Sequence, residues 1–397
     1  MSSGIEARTG VLRTFGADTA VAAELLSYDS DAFGDAAMRP EIRFPMDDEP
    51  FVDAWRVYRQ EAAASDIRVL ADRLVQLNFP IQLGISESEE YRGATHRGEA
   101  PLGMLSASGL CLAQPGDCTI VIHPTWAGSI PIIQTGCRYD FVSLVRALTT
   151  RNEPAPIPDS MGACIVAGYN NWDRVRRVKE QWTRENPLDT FSFGRIAHLK
   201  ELYQDRFVLL SDGWYSGVAP EQLGLSAPEW RRVSLIIRRE HECAHYWTRR
   251  VLSSMRNCIL DEIIADYCGI VAACGRFRAD WLLTFLGLDD GRMCRENGRL
   301  HNYRGKPKLS DAAFDIVQRL VLAAAANLEA FDRRHAGDLS EERGILLALL
   351  TLSRMSLEDI ASAAAPALMA DLLSRSREVG RAAVRQDVRF LQQESRG

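Results

Sequence analysis

The chain has 397 residues, of which 46% are hydrophobic and 25% are charged, and its formal net charge at pH 7 is -6. This length predicts two or three domains, and this composition excludes an intrinsically disordered or fibrous chain. The small acidic excess gives no electrostatic reason to expect a nucleic acid or an anionic membrane as a partner.

The first half of the chain, residues 1–225, predicts mixed α and β structure. Apolar residues at helical spacing predict one or two helices in residues 51–77 and another helix in residues 138–150. Short, mainly apolar runs, two of which flank a turn signal, predict the strands of a small sheet. These runs are residues 110–112, 118–123, 130–133, 163–167 and 206–210.

The second half, residues 226–397, predicts a helical domain. Ser226, followed three positions later by Glu229, forms a capping-box pattern that predicts the start of a long helix. Further helices are predicted in residues 259–274, 311–331, 344–355 and 356–374. The predicted fold is therefore α+β, with a mixed α/β region followed by a helical domain.

The long predicted helix contains an H-E-x-x-H pattern, His241-Glu242-Cys243-Ala244-His245. Two histidines four residues apart lie about 40° apart around a helix and about 6 Å apart along it, so both rings can bind one metal ion. Glu242 is rotated by about 100° from His241, which places its carboxylate beside the metal. The pattern predicts two metal ligands and a base that takes a proton from bound water.

The next predicted helix supplies a third candidate ligand. If the chain turns back at residues 255–257, Glu262 faces the two histidines and completes a set of two histidines and one glutamate with an open fourth position. An alternative is that the histidines are ordinary buried and hydrogen-bonded residues. Glu242, Glu262 and Asp266 together favour a bound cation, because three acids around one point are costly without one.

The H-E-x-x-H pattern followed by E-x-x-x-D resembles the gluzincin metallopeptidases, the thermolysin-like branch of the zincins, over residues 241–269. The resemblance implies zinc bound by His241, His245 and Glu262. It also implies Glu242 as the general base or acid, and Asp266 as the acceptor for the ring N–H of His241.

Two features depart from the gluzincin pattern. The gap between His245 and Glu262 is a few residues shorter than usual, and the residue that stabilises the oxyanion has no clear counterpart. His301 and Tyr303 are the nearest downstream candidates for that catalytic role. The resemblance to zincins also implies an edge strand that holds a peptide substrate by backbone pairing, and residues 206–210 are the candidate for it.

Three functions are compatible with these residues. The first is a narrow-specificity cytoplasmic zinc peptidase or amidase, in which a metal-bound water attacks a peptide or peptide-like substrate and Glu242 is the general base. The second is a non-haem iron(II) oxygenase with two histidines and one carboxylate that tailors a peptide or a secondary metabolite. The third is a non-catalytic scaffold that the metal stabilises.

The expected compartment follows from the cysteines and from the apolar segments. The nine cysteines are an odd number, and no two of them form a C-x-x-C pair, as is usual for reduced, buried residues. No apolar stretch has the length of a signal peptide core or a membrane span. The sequence therefore predicts a cytoplasmic protein.

Overall fold

A computed structural model describes residues 2–28, 33, 42–253, 258–288 and 293–383. The fold is α+β, as predicted: a small sheet with helices comes first and a mainly helical half follows. The strands are β1 (Thr119–His123), β2 (Ile130–Thr135), β3 (Ala163–Asn170) and β4 (Gln204–Ser211). The helices are α1 (Ser2–Thr14), α2 (Thr19–Tyr28), α3 (Phe51–Ala64), α4 (Glu89–Arg97), α5 (Arg138–Thr149), α6 (Trp172–Glu185), α7 (Ala227–Leu252), α8 (Ile259–Cys274), α9 (Ala279–Leu286), α10 (Asp311–Arg334), α11 (Ala336–Leu339), α12 (Gly344–Leu352), α13 (Leu357–Ala361) and α14 (Ala365–Ala383).

The chain forms two compact units. One unit comprises Asp47–Gly213 and carries the sheet, and the other comprises Met1–Met46 together with Trp214–Gly397 and is helical. This division differs from the predicted one between residues 225 and 226. The boundary lies earlier, and the first 46 residues belong to the helical unit.

Contacts of the two N-terminal helices explain this difference. The Arg8 side chain of α1 forms an ion pair with Glu358 of α13 at 3.0 Å. Glu24 of α2 accepts a hydrogen bond of 2.6 Å from the backbone amide of Ser310, the N-cap residue of α10. These partners are roughly 290 to 350 positions away along the chain, and local sequence patterns contain no information about such contacts.

The sheet has the strand order β1-β2-β4-β3. Strands β1 and β2 are antiparallel, β2 and β4 are parallel, and β3 and β4 are antiparallel. Helices α3 and α5 contact the sheet, and the core there includes the fully buried side chains of Trp55, Phe141 and Phe207. Burial of each such side chain contributes about 1.5–3 kcal/mol to stability.

Two strand predictions are corrected by the sheet. Residues 206–210 do form a strand, but β4 lies between β2 and β3 and is therefore not an edge strand. Its backbone groups pair with both neighbours, for example Val208 with Ile132 and with Ile165, so they are not available to a peptide substrate. Residues 110–112 are not a strand.

The helical unit is built around α8, whose residues from Ile259 to Val271 are all buried. The long predicted helix, α7, begins after Ser226, whose side chain accepts a hydrogen bond from the amide of Glu229. The helix predicted at residues 356–374 is divided into α13 and α14. Within the described residues, no helix combines the length and apolarity that a membrane crossing requires.

Helices α7 and α8 pack closely because one residue at their interface has no side chain. A Cβ atom placed on Gly269 of α8 would lie 2.7 Å from the carbonyl oxygen of Ile237 on α7. Ile237 precedes His241 by one helical turn, and Gly269 follows Asp266 by three residues. The close approach therefore lies next to the predicted metal ligands. The predicted turn at residues 255–257 lies outside the described part of the chain.

Candidate metal centre

Helices α7 and α8 bring the three predicted ligands together. His241 and His245 are on the same face of α7, and Glu262 is in the first turn of α8. The Nε2 atoms of the histidines are 3.1 Å apart. The Glu262 carboxylate lies 3.4 Å from Nε2 of His241 and 3.6 Å from Nε2 of His245. All three side chains are buried and face one common centre.

The spacing of these atoms fits a tetrahedral metal ion. Zinc binds imidazole nitrogen and carboxylate oxygen at about 2.0–2.2 Å, so two ligand atoms of a tetrahedral site lie about 3.3 Å apart. The observed separations, 3.1, 3.4 and 3.6 Å, lie on both sides of that value. The donor set therefore fits zinc, and two histidines with one carboxylate also suit iron(II).

Each histidine has a carboxylate beside its other ring nitrogen. Nδ1 of His241 lies 2.8 Å from Oδ1 of Asp266, which is the contact that the gluzincin resemblance implies. Nδ1 of His245 lies 3.1 Å from Oδ2 of Asp261, although the angle departs from that of a regular hydrogen bond. Because an ionised carboxylate only accepts, we assign the proton of each neutral ring to Nδ1, which directs the Nε2 lone pairs toward the common centre.

When both histidines are neutral, as metal ligands must be, the charge around this centre is strongly negative. Four carboxylates are buried there, those of Glu242, Asp261, Glu262 and Asp266. Among the described residues, an arginine ion pair is made to only one of the four, between Arg299 and Asp266. Buried charges without a partner are costly because water no longer solvates them. A bound cation would offset this cost.

The pKa values of the candidate ligands reflect the same balance. Burial opposes the charged form of His241, but hydrogen bonds and electrostatic attraction from Asp266 and Glu262 outweigh it and raise the pKa to about 10. Burial likewise opposes ionisation of Glu262, but the two histidines outweigh it and lower the pKa of that carboxyl. The acids therefore favour a protonated, positively charged His241 ring at the place where a metal ion would supply the positive charge.

Glu242 is close to the ligands but differs from the other acids in its contacts. Its side chain is 8% exposed, and burial raises the pKa of its carboxyl. Within the part of the chain that the structure describes, its carboxylate makes no hydrogen bond or ion pair. A carboxylate with a raised pKa beside a metal site is suited to accept and return a proton.

The two downstream candidates for catalysis have different positions. The Tyr303 hydroxyl donates a hydrogen bond of 2.8 Å to Oε2 of Glu262, so Tyr303 contacts the ligand set directly. The His301 ring packs against Phe314 of α10, with 5.0 Å between ring centroids. Among the described residues, His301 is not part of the group of side chains that could hold a metal ion together with His241. The geometry therefore connects Tyr303, rather than His301, with the metal centre.

Three residues of this centre were missed by sequence reasoning. Asp261 precedes Glu262 directly and faces His245. The Tyr215 hydroxyl lies 3.0 Å from Nδ1 of His241, and Arg299 pairs with Asp266. The position of Asp261 on the same helix turn could have indicated its role. Tyr215 and Arg299 belong to no spacing pattern with the H-E-x-x-H helix, so only tertiary structure reveals them.

The fold and the site define an α+β protein whose helical unit contains a buried cluster of two histidines and several carboxylates. The chain belongs to a family of unknown function, DUF7005, whose sequence profile matches residues 10–364. This match includes every residue of the candidate metal centre. No curated protein and no solved structure matches the chain.

Proposed function

We propose that the helical unit is a zinc-dependent hydrolase that cleaves an amide bond in a peptide or a peptide-like molecule. The supporting observation is the convergence of His241, His245 and Glu262 at the separations of a tetrahedral site. In addition, an outer carboxylate lies beside each histidine ring, at Asp266 and Asp261, and such partners are usual for histidines that bind a metal.

Zinc held by these three residues would supply Lewis-acid polarisation of a carbonyl group and would lower the pKa of water. The proton of the attacking water would pass to the Glu242 carboxylate, and Glu242 would then return it to the nitrogen of the departing amine. Burial raises the pKa of Glu242, which makes its carboxylate a better base than that of an exposed glutamate.

Tyr303 has a supporting role in this proposal. Its hydroxyl donates to Glu262, which orients the third ligand and leaves the phenol at the edge of the ligand set. Replacement of that hydroxyl is expected to weaken metal binding in addition to slowing catalysis. The proposal includes a narrow substrate range and a cytoplasmic location, both of which the sequence supports.

The iron(II) oxygenase and the scaffold use the same ligands but make different predictions. An oxygenase does not need Glu242 for proton transfer, and a scaffold has no turnover to lose. The buried Glu242 carboxylate beside the histidines favours the hydrolase, because only that function uses an acid at this position.

The first experiment measures the metal. Protein purified without added metal is analysed by inductively coupled plasma mass spectrometry, together with His241→Ala and Glu262→Gln. We expect close to one equivalent of zinc in the natural protein and a loss of zinc in both variants. Iron in place of zinc would support the oxygenase, and an absence of metal from all three proteins would contradict the proposal.

The second experiment measures turnover with a fluorescence-quenched peptide library and a panel of small acyl amides. We expect Glu242→Gln to retain zinc and to lose roughly 10²–10⁴-fold in activity, which is the usual contribution of a general base. Glu229→Gln is the matched control, because Glu229 is exposed in the first turn of the same helix. Full activity of Glu242→Gln would refute the proposed mechanism.

A further inference from the structure

Asp266 contacts more groups than the outer partner of a metal ligand requires. One oxygen, Oδ1, receives hydrogen bonds from Nδ1 of His241 and from the Tyr215 hydroxyl. The other oxygen pairs with the guanidinium of Arg299. Arg299 also donates to the Tyr215 hydroxyl at 2.9 Å. Tyr215, Asp266 and Arg299 thus form a closed triangle of hydrogen bonds beside the ring of His241.

The position of Tyr215 beside Asp266 depends on an uncommon backbone conformation at the next residue. The next residue, Ser216, has φ 55° and ψ 18°, which is the left-handed region that residues with a Cβ atom rarely adopt. The Ser216 hydroxyl donates to the carbonyl of Phe285 at 2.7 Å, and the Tyr215 amide donates to the hydroxyl of Ser234 at 3.0 Å. The ring also packs edge-on against Phe285. These contacts stabilise a backbone conformation that would otherwise be unfavourable.

The second histidine has no such arrangement. Asp261, which lies beside His245, accepts a long hydrogen bond of 3.5 Å from the Thr248 hydroxyl to its Oδ1. No arginine among the described residues pairs with Asp261. The carboxylate partners of the two histidines therefore differ. Asp266 is neutralised by an arginine and accepts hydrogen bonds on both oxygens, whereas Asp261, within the described part of the chain, is not neutralised in this way.

We propose that Tyr215 and Arg299 are a pair of positioning residues that fix Asp266 and, through it, the ring of His241 as a metal ligand. This inference rests on the proposed metal site. Donors on both oxygens of Asp266 prevent rotation of its carboxylate, so Oδ1 stays in the plane that Nδ1 of His241 requires. The pair acts without touching the metal ion, in the way that outer partners orient and tune metal ligands.

The test replaces the Tyr215 hydroxyl alone, with Tyr215→Phe. We expect the affinity for zinc to fall by roughly 10–100-fold, and the visible absorption bands of the cobalt(II)-substituted protein to shift because the ligand geometry changes. Tyr267→Phe is the matched control. Its hydroxyl also is buried and also donates to a carboxylate, that of Asp332, at 2.8 Å, but it does not contact the ligands. The control should keep both the affinity and the cobalt spectrum.

A second set of variants tests whether the two residues act as one unit. Arg299→Lys keeps a positive charge but loses the two-pronged geometry that joins Tyr215 to Asp266, so its zinc affinity should also fall. In the double variant, the combined loss should be smaller than the product of the two separate fold-changes, because each change disrupts the same triangle. Natural affinity and an unchanged cobalt spectrum in both single variants would overturn the proposal, and independent effects would overturn the pairing.

Failure of this inference can be distinguished from failure of the proposed function. If the natural protein binds neither zinc nor cobalt, the metal site itself is refuted. If the natural protein binds the ion and Tyr215→Phe binds it equally well, only the role of the pair is refuted. Melting curves of the ion-free variants show whether each protein is folded before its affinity is compared.

Discussion

Replacement of Gly269 by alanine tests the link between helix packing and metal binding. The new Cβ would lie 2.7 Å from the carbonyl oxygen of Ile237, whereas ordinary van der Waals contacts begin at 3.4 Å. Helices α7 and α8 must therefore separate by about 0.7 Å at this point, which is the difference between those two distances. The ligands lie one to two helical turns away, His241 on α7 and Glu262 on α8.

A separation of the two helices by about 0.7 Å is large compared with the distances that a metal site tolerates. Metal–ligand distances are held within about 0.2 Å of their usual values, so a separation of the two helices should weaken zinc binding at least 10-fold, or about 1.4 kcal/mol. The effect on folding should be of similar size. Overpacking costs about 1–3 kcal/mol, and the higher helix propensity of alanine offsets up to about 1 kcal/mol of it.

The assay is competition for zinc against a chromophoric chelator, with the free energy of unfolding of the ion-free protein measured in urea. Gly337→Ala is the control, because a Cβ atom at Gly337 has no neighbour within 4 Å. The control should bind zinc as the natural protein does. If Gly269→Ala also binds zinc with natural affinity, then the close approach of the two helices does not determine the ligand geometry.

Other predictions concern stability. Tyr28→Phe should lower the free energy of unfolding by about 1 kcal/mol in urea, because the Tyr28 hydroxyl donates to the carbonyl of Tyr303 at 2.6 Å; no change would show that this bond is dispensable. Arg174→Met should cost about 3–5 kcal/mol in the same assay, because it leaves Asp205, its partner at 2.6 Å, buried without a counter-charge; a loss below about 1 kcal/mol would contradict this. Burial opposes ionisation of Asp173, but a tyrosine hydrogen bond and nearby arginines outweigh it and lower its pKa below 3.8. The stabilisation by Asp173 is therefore fully present above about pH 3.8 and is lost as the pH falls through the lower folded-state pKa. Asp173→Asn should flatten the acid side of a plot of unfolding free energy against pH. An unchanged plot would refute this assignment.

Local patterns predicted the parts of the fold and of the site that depend on neighbours along the chain. The start of α7 at Ser226 follows from a capping side chain and the turn that comes after it. The convergence of His241 and His245 follows from the helical repeat alone. Glu262 could be predicted as a third ligand because one short connection joins its helix to α7, and a short connection between two helices favours antiparallel packing.

Tertiary structure decided the rest. Strand β4 was expected at a sheet edge, but the order of strands depends on pairing between distant segments, which no periodicity encodes. Helices α1 and α2 pack on α13 and α10, respectively, for the same reason. Tyr215 and Arg299 meet at Asp266 from segments 51 and 33 residues away. A sequence specifies which groups a helix face presents, whereas the groups that meet that face from elsewhere depend on how the whole unit buries its apolar surface.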